Sequence, residues 1–492
     1  MPYFIAIDIG TTHCKAIVTT DMAEVLFEDK AGYPSHQPQS GYHEQDPEQI
    51  LGAAIQVLGK AADSISDKEN ILAISFSAAM HSLIAVGKDG KPLTSLWTWA
   101  DTRSISIAAE FKDTEQGKRI HQQTGTPIHP MSPLCKIAWI KREMPDVFAA
   151  THKFISGKEY LLHQLTGVYE TDIAMASATG LLDVQSLSWN EEALSLAGIT
   201  KEKLSALAQP TDRLPQLLPA FAKKLSLPAN VLFVHGGSDG SLANTGAGAV
   251  LPGEAALTIG TSGAIRVLHD QPVRDRQNRL FNYRLDKDVY LPGGAINNGG
   301  ILLEWFIKTF TDNINSFDEY LADLLPQVRD IPAGSEGLIF LPYVHGERAP
   351  VWDAGASGMF VGIKAIHTRA HYLRAVLEGV GFGLKQVLEA LEDNGVVINT
   401  LFAGGGFVES PEWLQIVTDI LQKTVKVSLT ADASSMGAVF MGMKALGIIG
   451  DWSEVKRFMK DDETYKPGSF QPYQRGFEIY QSLYQKTIFT GY

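Results

Sequence analysis

Residues 8–15 read Asp8-Ile9-Gly10-Thr11-Thr12-His13-Cys14-Lys15, and 250 positions later the chain reads Ile259-Gly260-Thr261-Ser262. Each Ile-Gly-Thr turn lies between β-prone runs. Tyr3 to Asp8 and Thr12 to Thr19 flank the first, and Ala264-Ile265-Arg266-Val267 follows the second. The spacing is close to half of the 492 residues. A strand–turn–strand unit repeated at half the chain length predicts two related domains, each opening with a hairpin. The expected boundaries are 1–244 and 245–492.

Outward from the hairpins, strand-like and helix-like segments alternate. Ile71 to Phe76, Val231 to Val234, Leu338 to Leu341 and Thr400 to Phe402 read as buried strands. Gln49 to Ala61, Ile301 to Phe310, Tyr372 to Leu391 and Glu412 to Leu421 carry helical apolar spacing. This alternation predicts an α/β fold. A chain this long buries a sizeable core without disulfide staples. It has only two cysteines, Cys14 and Cys135, so no disulfide framework is available and a reducing compartment, the cytoplasm, is expected. The net charge of −13 disfavours general binding to nucleic acid or anionic membrane. No run of about 18 apolar residues and no basic, apolar leader is visible, so neither a membrane span nor a secretory signal is expected. Glycine is enriched, with 45 residues, and its clusters mark the loops of interest.

A tight glycine turn brings backbone N–H groups close to a phosphate. In the first hairpin Thr11 and Thr12 add hydroxyls, Lys15 adds charge, and Asp8 at the strand end can hold Mg²⁺. Such a turn is also an ordinary hairpin with polar residues. The second, Gly260-Thr261-Ser262-Gly263, tips the reading toward two loops clamping a polyphosphate. No P-loop, dinucleotide fingerprint, zinc-ligand spacing or EF-hand occurs.

His235-Gly236-Gly237-Ser238-Asp239-Gly240 ends a buried strand and admits three readings. Gly236, Ser238 and Gly240 fit a nucleophile elbow, with Ser238 attacking an acyl group. Asp239 at the strand end can act as general base for a substrate hydroxyl. Asp239 can also simply cap a helix. The base reading gives both Ile-Gly-Thr turns a role, because phosphoryl transfer needs a phosphate clamp, a metal and a proton acceptor. Ala403-Gly404-Gly405-Gly406-Phe407 offers a flat surface for a ring such as adenine, and Asn297-Asn298-Gly299-Gly300 a second close-approach loop before a helix. Met80-His81 follows the strand at Ile71 to Phe76. Trp97, Trp99, Asp101 and Arg103 cluster shortly afterwards and can supply a sugar with polar groups and an apolar platform.

These residues coincide with known patterns. Met131-Ser132-Pro133-Leu134-Cys135-Lys136-Ile137-Ala138-Trp139-Ile140-Lys141-Arg142-Glu143 resembles the first signature of the FGGY carbohydrate kinases, members of the actin/Hsp70/sugar-kinase superfamily. Gly358 to Gly362 followed by His371 to Glu378 resembles the second, with Tyr372 at a position usually aliphatic or Phe. Gly41-Tyr42-His43-Glu44-Gln45-Asp46-Pro47, Ala79 to Val86, Ser177 to Leu181 and Gly263-Ala264-Ile265-Arg266 are similar to the gluconate kinases of that family, whose frame the xylulose kinases share.

The resemblance implies two ribonuclease-H-like domains with the active site in the cleft between them. It also implies ATP and Mg²⁺ as cofactors, and phosphorylation of a sugar acid, D-gluconate, to 6-phosphogluconate. Asp239 would be the catalytic base, and Asp8 with Asp239 would face the metal. Thr11, Thr12 and Lys15 resemble the first phosphate loop and Gly260 and Thr261 the second. Gly300 and Glu304 match positions near the nucleotide, Glu304 replacing a more usual glutamine. Gly405, Gly406 and Ser410 resemble the adenosine pocket, and Met80 and His81 the sugar-binding dipeptide. Arg103 and Lys158 are the candidate partners of a substrate carboxylate. A homodimer is expected by the same resemblance. The competing readings are a pentulose or polyol kinase such as a xylulokinase, an actin- or Hsp70-like ATPase module, and a serine hydrolase using Ser238.

Overall fold

A computed structural model describes residues 1–225, 227–228, 231–311, 324–427, 432–460 and 463–486. Two mixed sheets dominate it. The first has five strands: β1 (Tyr3–Ile9), β2 (His13–Thr20), β3 (Val25–Gly32), β4 (Ile71–Ala78) and β5 (Leu232–Ser238), in spatial order β5-β4-β1-β2-β3. β1 and β2 form an antiparallel hairpin with Asp8 opposite Lys15, and β4 and β5 add on in parallel.

The second sheet has seven strands: β6 (Gly253–Ile259), β7 (Gly263–Arg266), β8 (Phe281–Arg284), β9 (Tyr290–Ile296), β10 (Ile398–Gly404), β11 (Thr424–Val427) and β12 (Glu463–Tyr465). Their order is β8-β9-β7-β6-β10-β11-β12. Its central five strands, β9-β7-β6-β10-β11, repeat the order and directions of β3-β2-β1-β4-β5. The two Ile-Gly-Thr turns are therefore equivalent hairpin tips, as their spacing predicts.

β1 shows why its residues make a central strand. Ile5, Ile7 and Ile9 point to one face and pack with α1 (Pro47–Asp63); Phe4 and Ala6 point to the other. Fully burying each of the larger side chains contributes about 1.5–3 kcal/mol. The Phe4 face is covered by two helices, α2 (Asp239–Gly246) and α6 (Ala433–Ala445). Three further helices belong to the second half of the chain: α3 (Ile301–Phe310), α4 (Arg369–Asp393) and α5 (Pro411–Leu421).

α6 has no counterpart among the expected helices. Nine consecutive residues from Ser435 to Met443 are buried, because the first sheet and α2 enclose it together. An enclosed helix carries no polar face, so it lacks the periodicity by which a helix is recognised. α2 and α6 cross at Gly246 and Gly437: a Cβ on the first would lie 1.8 Å from the Ala433 carbonyl oxygen, and one on the second 2.0 Å from that of Leu242. The crossing joins the halves of the chain backbone to backbone.

Candidate active site

Both hairpin tips open onto one cavity of about 550 Å³. Thr11 and Thr12 line it from the first sheet, and Gly260, Thr261 and Ser262 from the second. Met80, His81, Trp99 and Asp239 lie along the same wall system, and Gly404 and Gly405 at the end of β10 also line it.

Asp239 arrives there through a backbone irregularity. The β5–β4 register shifts between Val234 and Gly237. Gly236 takes φ +72°, and a Cβ there would lie 1.8 Å from the Phe76 carbonyl oxygen. Only glycine fits such a bulge. The strand then ends at Ser238, which caps α2: its hydroxyl accepts from Ser241 N at 3.3 Å and donates to Ser241 Oγ at 2.9 Å. Ser238 is fully buried and so engaged, which removes the nucleophile-elbow reading. Asp239 follows as the first residue of the helix, so the cap is Ser238 and not Asp239. Burial raises the pKa of Asp239; the Arg266 guanidinium and the N–H groups of Gly240 (2.7 Å) and Met80 oppose that rise.

His81 has a left-handed backbone, φ +65°. Its Nδ1 lies 2.6 Å from the Ala178 carbonyl and donates to it, which leaves Nε2 as an acceptor, 3.4 Å from the Tyr283 hydroxyl. Burial, followed by the nearby Lys136 charge, brings its pKa down to about 3, so the ring is neutral. Lys136, fully buried, donates to the carbonyls of His81 and Thr98 at 2.7 Å each and clamps this loop. Trp99 Nε1 donates to Thr11 Oγ1 at 3.1 Å, tying the sugar-side wall to the first hairpin tip.

Asp8 stands behind Ser434, which lines the cavity and donates to Asp8 Oδ2 at 2.9 Å. Burial, and then the neighbouring Asp432 carboxylate, push Asp8 up to about 7. Among the described residues Asp8 Oδ1 is buried without a hydrogen-bond partner. An orphaned carboxylate oxygen among further acidic groups is a donor set that suits a hard divalent cation. Among the described residues no group of three or more His, Cys, Asp or Glu could hold a metal by itself.

The other expected site residues have the following surroundings. Lys15 is not a free phosphate ligand: its ammonium meets Asp432 at 2.9 Å and Glu28 at 3.3 Å. Arg103 lies away from the cavity, ion-paired to Asp101 (2.7 Å) and Glu44 (2.5 Å) and held between the Tyr42 and Trp97 rings at 3.8 Å each. Asp101 is fully buried, accepting from Arg103 and from His43 N. Lys158 is buried against Asp172 at 2.7 Å. The cations named for a substrate carboxylate are thus already matched. Glu304 is exposed on α3, 3.5 Å from Lys308. Ser410 caps α5, accepting from Trp413 N at 3.3 Å. Gly300 packs its N–H on the Gly260 carbonyl at 2.6 Å and so supports the second tip. Gly406 is in open space.

The cavity also contains residues that sequence reading passed over as site residues: Arg266, Tyr283, Arg348, Trp352 and Asp432. Arg266 ends the Gly263–Arg266 stretch that resembles the gluconate kinases, but only strand alternation in β7, which puts it on the same face as Ala264, points it at the site.

The chain is similar to known proteins along most of its length. The pattern of the FGGY family of carbohydrate kinases matches residues 3–246 for its N-terminal domain and 255–446 for its C-terminal domain. Gluconokinase of Bacillus subtilis is 39% identical over 474 residues, covering 94% of this chain and 92% of that one. Among solved structures, gluconate kinase from Lactobacillus acidophilus superposes with a TM-score of 0.92 at 36% identity, covering 99% of each chain. Ligand-bound xylulose kinase from the same organism gives 0.93 at 36%, covering 100% of this chain and 99% of that one.

Proposed function

Because the chain belongs to the FGGY family of carbohydrate kinases, we propose that it transfers the γ-phosphoryl group of ATP to the terminal hydroxyl of D-gluconate, giving 6-phosphogluconate. The observation that carries this reading is the convergence of Asp239 and both Gly-Thr tips on one cavity. An ATP-hydrolysing binding module has no use for a base in the same cavity as a sugar-side wall. The family membership also sets that module and the hydrolase aside.

In this mechanism Asp239 accepts the proton of the attacking hydroxyl. Its carboxylate is held in place by the N–H groups of Gly240 and Met80, so it is oriented before the substrate arrives. The neutral His81 accepts a hydroxyl through Nε2, and Trp99 packs on the C–H face of the carbon chain. Backbone N–H groups and hydroxyls at Thr11, Thr12 and Thr261 receive the phosphates, and Gly260, whose N–H donates to the Ser262 carbonyl, shapes the second tip. Asp8 and Asp239 would hold Mg²⁺, whose charge would offset that of the phosphate oxygens. Gly404 and Gly405, packed beside the second tip at Ile259 and Gly260, leave a flat surface for the adenine. A cytoplasmic location suits an ATP-using enzyme whose two cysteines are buried and free. Among the described residues no helix is long and apolar enough to cross a membrane.

The similarity to the Lactobacillus xylulose kinase keeps a pentulose acceptor as the second reading. Coupled ADP release measured with gluconate, xylulose, ribulose, glycerol and no acceptor separates them. Turnover highest with gluconate is expected. Preference for xylulose would overturn the gluconate assignment while leaving the kinase in place, and acceptor-independent hydrolysis would overturn both.

A further inference from the structure

Arg266 differs from the other cations near the site. Arg103, Lys158 and Lys15 each meet carboxylates. Arg266 lines the cavity, yet among the described residues its guanidinium forms no ion pair and no hydrogen bond, and its Nε is buried without a partner. Its flanking positions on β6 and β9 are Ala256 and Gly293, too short to approach it. Beside it, Arg348 uses Nη2 on the Ile296 carbonyl at 3.0 Å and leaves its own Nε buried and unpartnered. Glu347 is the first carboxylate neighbour of Arg348, whereas the acidic side chain beside Arg266 is Asp239, with which it forms no ion pair. This wall therefore turns two unpartnered Nε donors toward the cavity, and Arg266 is incomplete until an anion arrives. Leaving a buried charged donor unpaired is strongly unfavourable, and a planar guanidinium fork matches a carboxylate with two parallel hydrogen bonds.

Resting on the assignment of a sugar acid as acceptor, we propose that Arg266 receives the carboxylate of that acid, with Arg348 Nε as a neighbouring donor, and thereby selects acids over neutral polyols. A neutral acceptor of the same length would bring a hydroxyl where the site needs an anion, and would leave the guanidinium half-satisfied. Discrimination of this kind is larger than that available from apolar contacts alone.

The test compares kcat/KM for D-gluconate and for D-glucitol, the same carbon chain with a hydroxymethyl group in place of the carboxylate. The ratio cancels any effect of Arg266 on the base Asp239, because both acceptors use that base. In the wild-type enzyme gluconate should be preferred by roughly ten- to a hundredfold, the range of a charge-assisted hydrogen bond. Arg266→Gln should bring the ratio close to one, through KM for gluconate, with ADP binding unchanged. Arg266→Lys, which keeps the charge but loses the fork, should restore part of it and guards against a Gln variant that folds poorly. Equal losses on both acceptors in Arg266→Gln, with the wild-type ratio retained, would overturn the inference and assign Arg266 to the transferred phosphoryl group. A wild-type enzyme without preference for gluconate would overturn the sugar-acid reading, and the inference with it.

Discussion

Asp432 Oδ2 of the second half of the chain lies 2.9 Å from Lys15 Nζ of the first. This ion pair spans the site beside Asp8 and is largely shielded, with both side chains less than a fifth exposed. Asp432 also caps α6, accepting from Ser435 N at 3.2 Å. It therefore joins the helix that covers the first sheet to the hairpin that carries the first phosphate-side tip. Asp432→Asn keeps a good cap and loses the ion pair; Asp432→Ala loses both. Urea unfolding should show the Ala variant less stable than the Asn variant by about 1 kcal/mol. Equal stability of the two would mean that the cap contributes nothing.

Asp239→Asn leaves the size of the side chain and the N–H contacts of the loop in place but removes the proton acceptor. Turnover should fall by at least about a hundredfold, the lower bound for a positioned general base. ATP binding, followed by calorimetry, should persist. Near-normal turnover would remove Asp239 from the role of base.

Gly236→Ala tests how the bulge positions that base. The added Cβ meets the Phe76 carbonyl at 1.8 Å, in a left-handed backbone. The chain must move, at a cost of more than about 1–3 kcal/mol, and Asp239 three residues on moves with it. Both the melting temperature and kcat should drop, with kcat still low at temperatures where the variant is fully folded. A stable variant with unchanged kcat would show that the bulge does not position Asp239.

Glu347 predicts a pH dependence of stability. Burial pushes its pKa from 4.5 up to about 7, against the N–H groups of Asn297 and Arg348 and the Asn298 amide. The folded state thus holds a proton that the unfolded chain releases at lower pH. The stabilising contribution is complete below about 4.5 and is lost as pH rises through about 7. The loss is up to about 3 kcal/mol. Glu347→Gln removes this titration, so its melting temperature should fall less than that of the wild type between pH 5 and pH 8. Parallel curves for the two proteins would contradict the raised pKa.

Much of the fold was legible because it depends on local pattern. The two hairpins, the parallel strands at Ile71 and Thr400, and α3, α4 and α5 all carry alternation or helical spacing in their own residues. α6 was not legible, since the first sheet and α2, which enclose it, lie more than 180 residues away in sequence. The site divides along the same line. Asp239 and the two Gly-Thr turns could be named from glycine placement and strand ends. The occupations of Arg103, Lys158 and Lys15 could not, because a cation is free or matched according to which carboxylates the fold brings within about 4 Å.

The sequence by itself determined the kind of protein: a duplicated α/β chain with two phosphate-type turns, a base at a strand end, and two family signatures. These are properties of residue type and spacing, which a short stretch of chain carries with it. The tertiary structure alone decided which charges remain available. It neutralised Lys15, Arg103 and Lys158 with acidic residues, Asp432 and Glu44 from distant segments among them, and among the described residues it left Arg266 facing the cavity without a partner. Electrostatic pairing depends on distance through space, and spacing along the chain does not encode that distance.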